Sequence, residues 1–158
     1  MARIGMGMAK TRKYHPAKYY RGLTRRKAAE RHEEIERFGA MDWRDPRAYK
    51  GFQTDVGIVT RPSSYTQRWK ARFPDATSLE QKAKATGVPL KFLRASYNRG
   101  MAAWRTGHRP GASQQAWGYA RVHSFLLKGK TFQTTDSDLA RAAIATSKGA
   151  RAWFSHVK

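Results

Sequence analysis

Apolar side chains recur every three or four residues along most of the chain, which is the spacing of amphipathic helices. The pattern predicts helices over residues 24–38, 63–73, 89–104 and 114–128, each beginning at or next to a Ser, Thr or Pro. Residues 57–60, Gly-Ile-Val-Thr, are the one stretch with the composition of a short strand. We therefore expect a mostly α fold built as a small helical domain.

The stretch SLEQKAKATGVPLKFLRASYNRG predicts two helices joined by a tight turn. Ser78 and Gln81 fit a capping box, and Gly87 is placed to end the first helix. Pro89 suits the first position of the second helix. This is the outline of a helix-turn-helix, with residues 89–99 as the candidate recognition helix. Any helical hairpin with a glycine turn gives the same pattern, so a purely structural role is an equal alternative.

Three segments differ in composition and define the expected domain organisation. Residues 1–22 form a basic, extended arm in which tyrosines alternate with Lys, His and Arg. Residues 23–61 are a helix followed by turn signals, and residues 62–158 are the helical core domain, with the helix-turn-helix-like segment at 78–100 and a last helix starting at residue 136 or 137. Basic and aromatic residues together are typical of nucleic-acid contacts. The same tyrosines are equally suited to hold the arm against a neighbouring protein.

The net charge of the chain narrows the range of possible binding partners. The 158 residues contain 32 Lys and Arg but 11 Asp and Glu, a net charge of +21. Residues 23–55 hold eight basic and seven acidic residues, whereas residues 56–158 hold eighteen basic and four acidic ones. A polyanion would offset this self-repulsion, and nucleic acid is the commonest polyanion. A basic surface without a partner, an acidic protein surface and membrane phosphates are the alternatives.

The sequence lacks the residues that several kinds of site require. The chain has no cysteine, which excludes disulfides and thiolate zinc sites. Its five histidines lie far apart in the sequence and show no metalloprotease spacing, so we expect no metal site and no cofactor. No apolar run reaches the length of a membrane span, and the first residues do not form a secretory signal, so we expect no membrane partner.

The stretch AAWRTGHRPGASQQAWGYAR, residues 102–121, crowds His, Arg, Ser and Tyr together. As an active site it would use His108 as the acid or base and Ser113 or Tyr119 as the nucleophile. A catalytic histidine needs an orienting partner, and this stretch contains no acid. We therefore expect the protein not to be an enzyme.

The same residues favour a corner between two helices, braced by packing of Trp104 on Trp117. The helix that begins at Ser113 offers unpaired N–H groups and the positive end of its dipole. A phosphate or carboxylate seat at this helix start is the binding interpretation of the corner. Its expected side chains are Arg105, His108 and Arg109.

Three stretches between residues 79 and 139 form a distinctive series: AKATGVPLKFLRASYNRGMAAW, TGHRPGASQQAWGYARVHSF, and GK followed by DSDL. Together they resemble a family of small, basic, uncharacterised proteins of large DNA viruses, including algal giant viruses, and of some tailed phages. The fragments RDPRAYKG and TRPSSYTQRW also resemble the leader of the phage members. The resemblance implies a viral origin and a role in the virion or with the genome, and it supplies no catalytic residue.

These observations favour a non-enzymatic, strongly basic viral nucleic-acid-binding protein that contacts mainly phosphates. DNA is the expected partner, with capsid proteins as a second class, and the expected location is the virion and the host cell interior during replication. The alternative is a structural virion protein, a minor capsid or cement component, whose arm and aromatics bind neighbouring subunits. The candidate nucleic-acid-binding residues are Lys10, Arg12, Lys13, Lys18, Arg21, Lys91, Arg94, Asn98, Arg99, Arg105, His108 and Arg109.

Overall fold

Helices make up most of residues 15–158, the part of the chain that the structure, a computed structural model, describes. The candidate residues Lys10, Arg12 and Lys13 lie outside the described residues. Helices α1 to α8 span Arg25–Gly39, Ser64–Arg72, Leu79–Thr86, Leu90–Trp104, Gln114–Leu126, Lys130–Gln133, Ser137–Thr146 and Lys148–His156. Short 3₁₀ helices η1, η2 and η3 span Ala17–Tyr19, Pro46–Tyr49 and Gln53–Asp55.

Side-chain caps set where several of these helices begin. Thr24, Ser63 and Ser113 each accept a hydrogen bond from the backbone N–H three residues further on, at 3.0–3.2 Å. Ser78 and Gln81 form the predicted capping box. Because a helix start leaves its first N–H groups unpaired, these oxygens stabilise the starts of α1, α2, α3 and α5. The predicted starts of these four helices are confirmed.

The turn between α3 and α4 lies at the predicted glycine and proline. Gly87 ends α3 with φ of +81°, the left-handed region that favours glycine, and Pro89 directly precedes α4. A Cβ added to Gly87 would lie 3.2 Å from the Cα of Gly149, so the turn packs closely against α8. Whether this helix pair reads DNA stays a prediction.

The larger apolar core is assembled around α5, which contacts α2, α4 and α6. Trp69 of α2 is 1% exposed, and Leu93 of α4 and Phe125 of α5 are fully buried. The aromatic stripe of α2 therefore belongs to the core, as its four-residue spacing predicts. Helix α8, which is absent from the predicted elements, adds Trp153 and Phe154 to the same core.

A smaller apolar cluster lies in the N-terminal segment. Ile35, Phe38 and Phe52 are buried there, and Tyr19 and Tyr20 pack on them. These tyrosines belong to residues 15–22, the described part of the predicted arm, so that part packs against the body of the protein.

Two parts of the chain differ from the elements that the sequence predicts. Residues 57–60 form no strand, because the described chain offers them no strand to pair with and Val59 is 96% exposed. Residues 130–133, which lie between the predicted helix over 114–128 and the predicted last helix, form the short helix α6. Among residues 15–158, no helix combines the length and the apolar character needed to cross a membrane.

Glycines allow α4 and α5 to cross at close range. A Cβ added to Gly100 would lie 2.9 Å from the Cα of Gly118. A Cβ added to Gly118 would lie 2.9 Å from side-chain atoms of Tyr97 and of Met101. Real side-chain carbons do not approach this closely, so the two glycines set the distance between the helices.

Gly118→Ala should therefore lower the free energy of unfolding by about 1–3 kcal/mol, because the added methyl forces the two helices apart. The matched control is Gly39→Ala at the end of α1, where a Cβ would meet nothing nearer than the Cα of Thr106 at 3.9 Å. Urea unfolding measures both variants, and Gly39→Ala should be neutral or stabilising. Equal stabilities for the two variants would contradict the close crossing.

Candidate nucleic-acid interface

The corner between α4 and α5 is braced from inside by His108. Its ring stacks on Trp104 with centroids 4.3 Å apart and meets Trp117 edge-on at 6.3 Å. The ring Nδ1 lies 2.8 Å from the carbonyl oxygen of Trp104, and Nε2 lies 2.7 Å from Oδ2 of Asp55. The two tryptophans thus each contact the histidine, which takes the place of the predicted direct contact between them.

The prediction that His108 lines an anion seat is wrong. The side chain is fully buried, and both ring nitrogens bond to groups inside the protein. Its acidic partner, Asp55, lies 53 residues earlier in the sequence, so the local stretch did not reveal it. The histidine therefore has an orienting acid but presents no nitrogen to a substrate.

Asp55 and Arg31 are the centre of a buried polar network around this corner. Nη1 of Arg31 donates to Oδ1 of Asp55 at 2.7 Å, and Nε of the same guanidinium donates to the carbonyl of Tyr19 at 2.7 Å. Nη2 donates to the carbonyl of His108. The backbone N–H of Gly111 completes the carboxylate's contacts at 2.9 Å. One buried guanidinium therefore joins η1, α1, η3 and the corner.

Two further arginines of the candidate set are also engaged within the fold. Nη1 of Arg105 donates to the last two carbonyls of α1, each at 3.1 Å. A cation is favoured there because the helix dipole is negative at that end. Arg99 pairs with Asp136 at 3.1 Å and with Asp138 at 2.7 Å. Both guanidinium groups therefore hold separate segments of the fold together.

The other described candidate residues are exposed or partly exposed, and they lie in three places. Lys91, Arg94 and Asn98 are exposed on one side of α4, and Arg21 is exposed after η1. Lys18 and Arg109, by contrast, come together in a cleft of about 930 Å³ between α2 and α5.

Basic and aromatic side chains line this cleft. Its basic residues are Lys18, Arg61, Lys70, Lys82, Arg109, Arg121 and Lys130. Its aromatic residues include Tyr19, Tyr65, Trp69, Phe73, Trp117 and Tyr119. Neither Asp nor Glu is among the lining residues of the described chain. Five of these basic residues were not among the candidates predicted from the sequence. Three of the five, Lys82, Arg121 and Lys130, lie within residues 81–135, a stretch that contains no Asp or Glu, and this absence was the available signal.

The cations at one end of the cleft repel one another. Burial lowers the pKa of Lys18, and the charges of Arg109 and Lys130 lower it further. The ammonium also lies 5.5 Å from the centroid of the Trp117 ring, within the range of a cation–π contact. An anion bound here would therefore relieve an unfavourable charge interaction.

A second pair of cations lies deeper in the cleft. Lys82 is buried, and its ammonium donates to the carbonyls of Ala76 at 3.1 Å and Thr77 at 2.6 Å. Burial, followed by the charge of Lys70, lowers its pKa to about 8. Because an ammonium has three N–H donors, one is left without a carbonyl acceptor. The lysine also lies 4.8 Å from the Tyr119 ring centroid.

His123 brings an unpaired ring nitrogen to the same cleft. Oγ1 of Thr66 lies 3.0 Å from the hydroxyl of Ser63 and 2.9 Å from Nδ1 of His123. Nε2 of His123 has no hydrogen-bond partner within the described chain, although the side chain is 3% exposed. Buried polar atoms are rarely left unpaired, so the cleft lacks a hydrogen-bond partner at this point.

Comparison with known proteins assigns the chain to a protein family. Residues 16–141 match the model of a family of unknown function, DUF5824. The chain belongs to this family. Neither the search of curated proteins nor that of solved structures found a match. The DUF5824 match spans every residue that lines the cleft and the whole network around Asp55, whereas α8 lies beyond it.

Asp55→Asn should destabilise this DUF5824 protein by about 3 kcal/mol, because Arg31 then stays buried without a carboxylate. Burial alone raises the pKa of Asp55, but the His108 hydrogen bond and charge, the Gly111 N–H and Arg31 lower it below its usual value. The control is Asp42→Asn, which breaks the exposed pair with Arg44 and should leave stability unchanged. Urea unfolding compares the two, and a stable Asp55→Asn variant would refute the network's role.

The stability of the protein should also depend on His123 in acid. Burial, then Lys82 and Lys70, lowers the pKa of His123 to about 3 from 6.5. Between these values the unfolded chain binds the proton and the folded chain does not, so stability falls as pH falls from 6.5 towards 3.

His123→Phe keeps the ring against Trp69 and removes this titration. We expect the slope of the unfolding free energy against pH in this window to decrease by up to about 1.4 kcal/mol per pH unit. Chemical unfolding at a series of pH values measures it. Phe in place of the exposed His156 is the control for the substitution itself. Equal slopes for His123→Phe and the wild type would contradict the assignment.

Proposed function

We propose that this protein is a non-enzymatic nucleic-acid-binding protein whose cleft holds the phosphates and unstacked bases of a single strand. The observation that carries the proposal is the lining of the cleft, with seven basic residues, six aromatic side chains and, within the described chain, no acid. Arg121 is paired with Asp136 at 2.8 Å. The other six cations have no carboxylate within ion-pair distance among residues 15–158, which leaves their charge available to phosphates.

A single strand fits this cleft better than a duplex does. In a duplex the bases are stacked inside and the phosphates outside, so aromatic side chains within a concave cleft cannot reach a base face. A single strand exposes its phosphates and its unstacked bases side by side along the chain. Stacking of a base on an aromatic side chain contributes about 1–3 kcal/mol per base. Trp117 and Tyr19, whose rings meet at 6.3 Å, are partly exposed in the cleft and provide such a surface.

The unpaired ring nitrogen of His123 and the third N–H of Lys82 support the same occupant. The ring of Tyr119 lies close to each, at 6.3 Å from the His123 ring and 4.8 Å from the Lys82 ammonium. Phosphates are rich in acceptor oxygens, and the edges of nucleobases carry both donors and acceptors. A nucleotide placed in this part of the cleft would form hydrogen bonds with these groups while its base lies against an aromatic ring.

Exposed basic residues outside the cleft would also contribute to nucleic-acid binding. Lys91 and Arg94 on α4 and Arg21 after η1 are exposed and lack a carboxylate partner within the described part of the chain. They would add phosphate contacts at a distance from the cleft. The resemblance to viral proteins leads us to propose that the bound nucleic acid is a viral genome and that the protein acts in the virion or during packaging.

A structural virion role remains the second candidate. Three large apolar side chains of the N-terminal segment are exposed, namely Trp43, Val56 and Val59, at 57%, 66% and 96%. Exposed apolar groups of this kind are suited to contacts with neighbouring subunits. Recovery of the protein with capsid shells after nuclease digestion and washing in high salt would favour this candidate.

The test measures binding of a fluorescent single-stranded DNA by anisotropy over a series of salt concentrations. If the six unpaired cations each neutralise one phosphate, the slope of log affinity against log salt should be about −4. The duplex of the same sequence should bind more weakly at each salt concentration. A slope near zero, or tighter binding of the duplex, would contradict the proposal.

A pair of matched double variants locates the binding site. Arg109→Gln with Lys130→Gln removes two cations of the cleft, and Lys91→Gln with Arg94→Gln removes two exposed cations of α4. We expect the cleft variant to make the salt slope shallower by about 1.4 for single-stranded DNA, with a smaller change for the α4 variant. The opposite result, together with a preference for duplex DNA, would point to α4 as a recognition helix instead.

A further inference from the structure

The start of the described chain brings two histidines and a glutamate together, well outside the cleft. Nε2 of His15 lies 2.6 Å from Oε2 of Glu36, and the rings of His15 and His32 have centroids 5.5 Å apart. One ligand atom from each of the three residues lies within 4.8 Å of the others. We propose that His15, His32 and Glu36 bind a zinc ion. This proposal does not depend on the function of the cleft.

The local sequence explains how the three side chains meet. His32 and Glu36 are four residues apart on α1, which places them on the same side of a rigid helix. His15 lies in the segment before η1 and has a side chain that is 13% exposed, whereas that of Glu36 is 42% exposed. The cluster therefore lies at the surface, where an ion enters from solvent. The separation of the histidines in sequence concealed this meeting.

A hydrogen bond orients one of the histidine rings. The hydroxyl of Tyr20 lies 3.2 Å from Nδ1 of His32. Metal-binding histidines usually donate their second ring N–H to an oxygen, which fixes the tautomer and directs the lone pair of the other nitrogen at the metal. When Tyr20 accepts from Nδ1–H, Nε2 of His32 carries the lone pair that a metal needs.

The set of ligands selects the metal. Two imidazole nitrogens and one carboxylate suit Zn²⁺, with water as the fourth ligand, whereas Mg²⁺ and Ca²⁺ prefer oxygen ligands alone. Tetrahedral zinc bonds of about 2.0–2.2 Å hold the ligand atoms about 3.4 Å apart. Nε2 of His15 and Oε2 of Glu36, now 2.6 Å apart, therefore separate when the ion replaces the proton between them.

Electrostatics also favours this location. Residues 23–55, which contain His32 and Glu36, hold eight basic and seven acidic residues, while the rest of the chain is strongly positive. A divalent cation is therefore repelled least in this segment. A bound ion would join residue 15 to α1 and so fix the chain that leads into η1, next to Lys18 of the cleft.

The test titrates the full chain with Zn²⁺ by isothermal calorimetry and with Co²⁺ by visible absorption, where tetrahedral coordination gives intense bands. We expect one equivalent of each metal per chain. His15→Ala and His32→Ala should each abolish the absorption and the binding. Tyr20→Phe removes only the orienting hydroxyl and should weaken zinc binding roughly 10-fold.

Two matched variants control for non-specific binding. His156→Ala removes an exposed histidine far along the chain, and Glu33→Gln removes an exposed carboxylate of α1 beside the proposed ligands. Both should bind zinc as the wild type does, and circular dichroism shows that each variant is folded. Glu36→Gln should bind more weakly than Glu33→Gln. Failure of the wild type to bind, or unchanged binding by His15→Ala and Tyr20→Phe, would overturn the proposal.

Discussion

The ion pair between the buried Arg31 and the partly buried Asp55 is the interaction on which the rest of the structure depends. Removing a guanidinium from water costs several kcal/mol, and here bonds to Asp55 and to the backbone carbonyls of Tyr19 and His108 offset that cost. Those two carbonyls belong to the neighbours in sequence of Lys18 and Arg109. The pair therefore holds two cations of the cleft in place while it joins the N-terminal segment to the corner between α4 and α5.

The scarcity of acids explains how the charge is distributed. The chain has 11 Asp and Glu for 32 Lys and Arg, and two of those acids are placed where several donors meet. Asp55 accepts from Arg31, His108 and Gly111, and the buried Asp136 accepts from Ser96, Arg99 and Arg121. Acids used in this way join distant helices, and the cations that they leave unpaired include six in the cleft. The small number of acids therefore has two results. The carboxylates of Asp55 and Asp136 each bind several donors inside the protein, and the remaining cations form the basic surface that we propose binds nucleic acid.

Local chemistry made much of the fold predictable. Thr24, Ser63 and Ser113 cap helices through bonds that span three residues, and Gly87 ends α3 because of its own backbone freedom. Such signals act within one turn of chain and are visible in the sequence. The candidate site was predicted less well, because Arg99, Arg105 and His108 are basic in the sequence but engaged in the structure. Their partners, the acids and carbonyls of remote segments, carry no local signal.

The sequence by itself determined the helical class, the capped starts of α1, α2, α3 and α5 and the excess of positive charge, since each depends on neighbouring residues or on composition alone. The tertiary structure decided which charges remain available, because pairing depends on distances between residues that lie tens of positions apart. It replaced the expected contact of Trp104 with Trp117 by a stack through His108, and it gathered Lys18, Arg61, Lys70 and Lys130 around one cleft. It also brought His15 beside His32 and Glu36, since only the folded backbone sets the distance between an arm and a helix face.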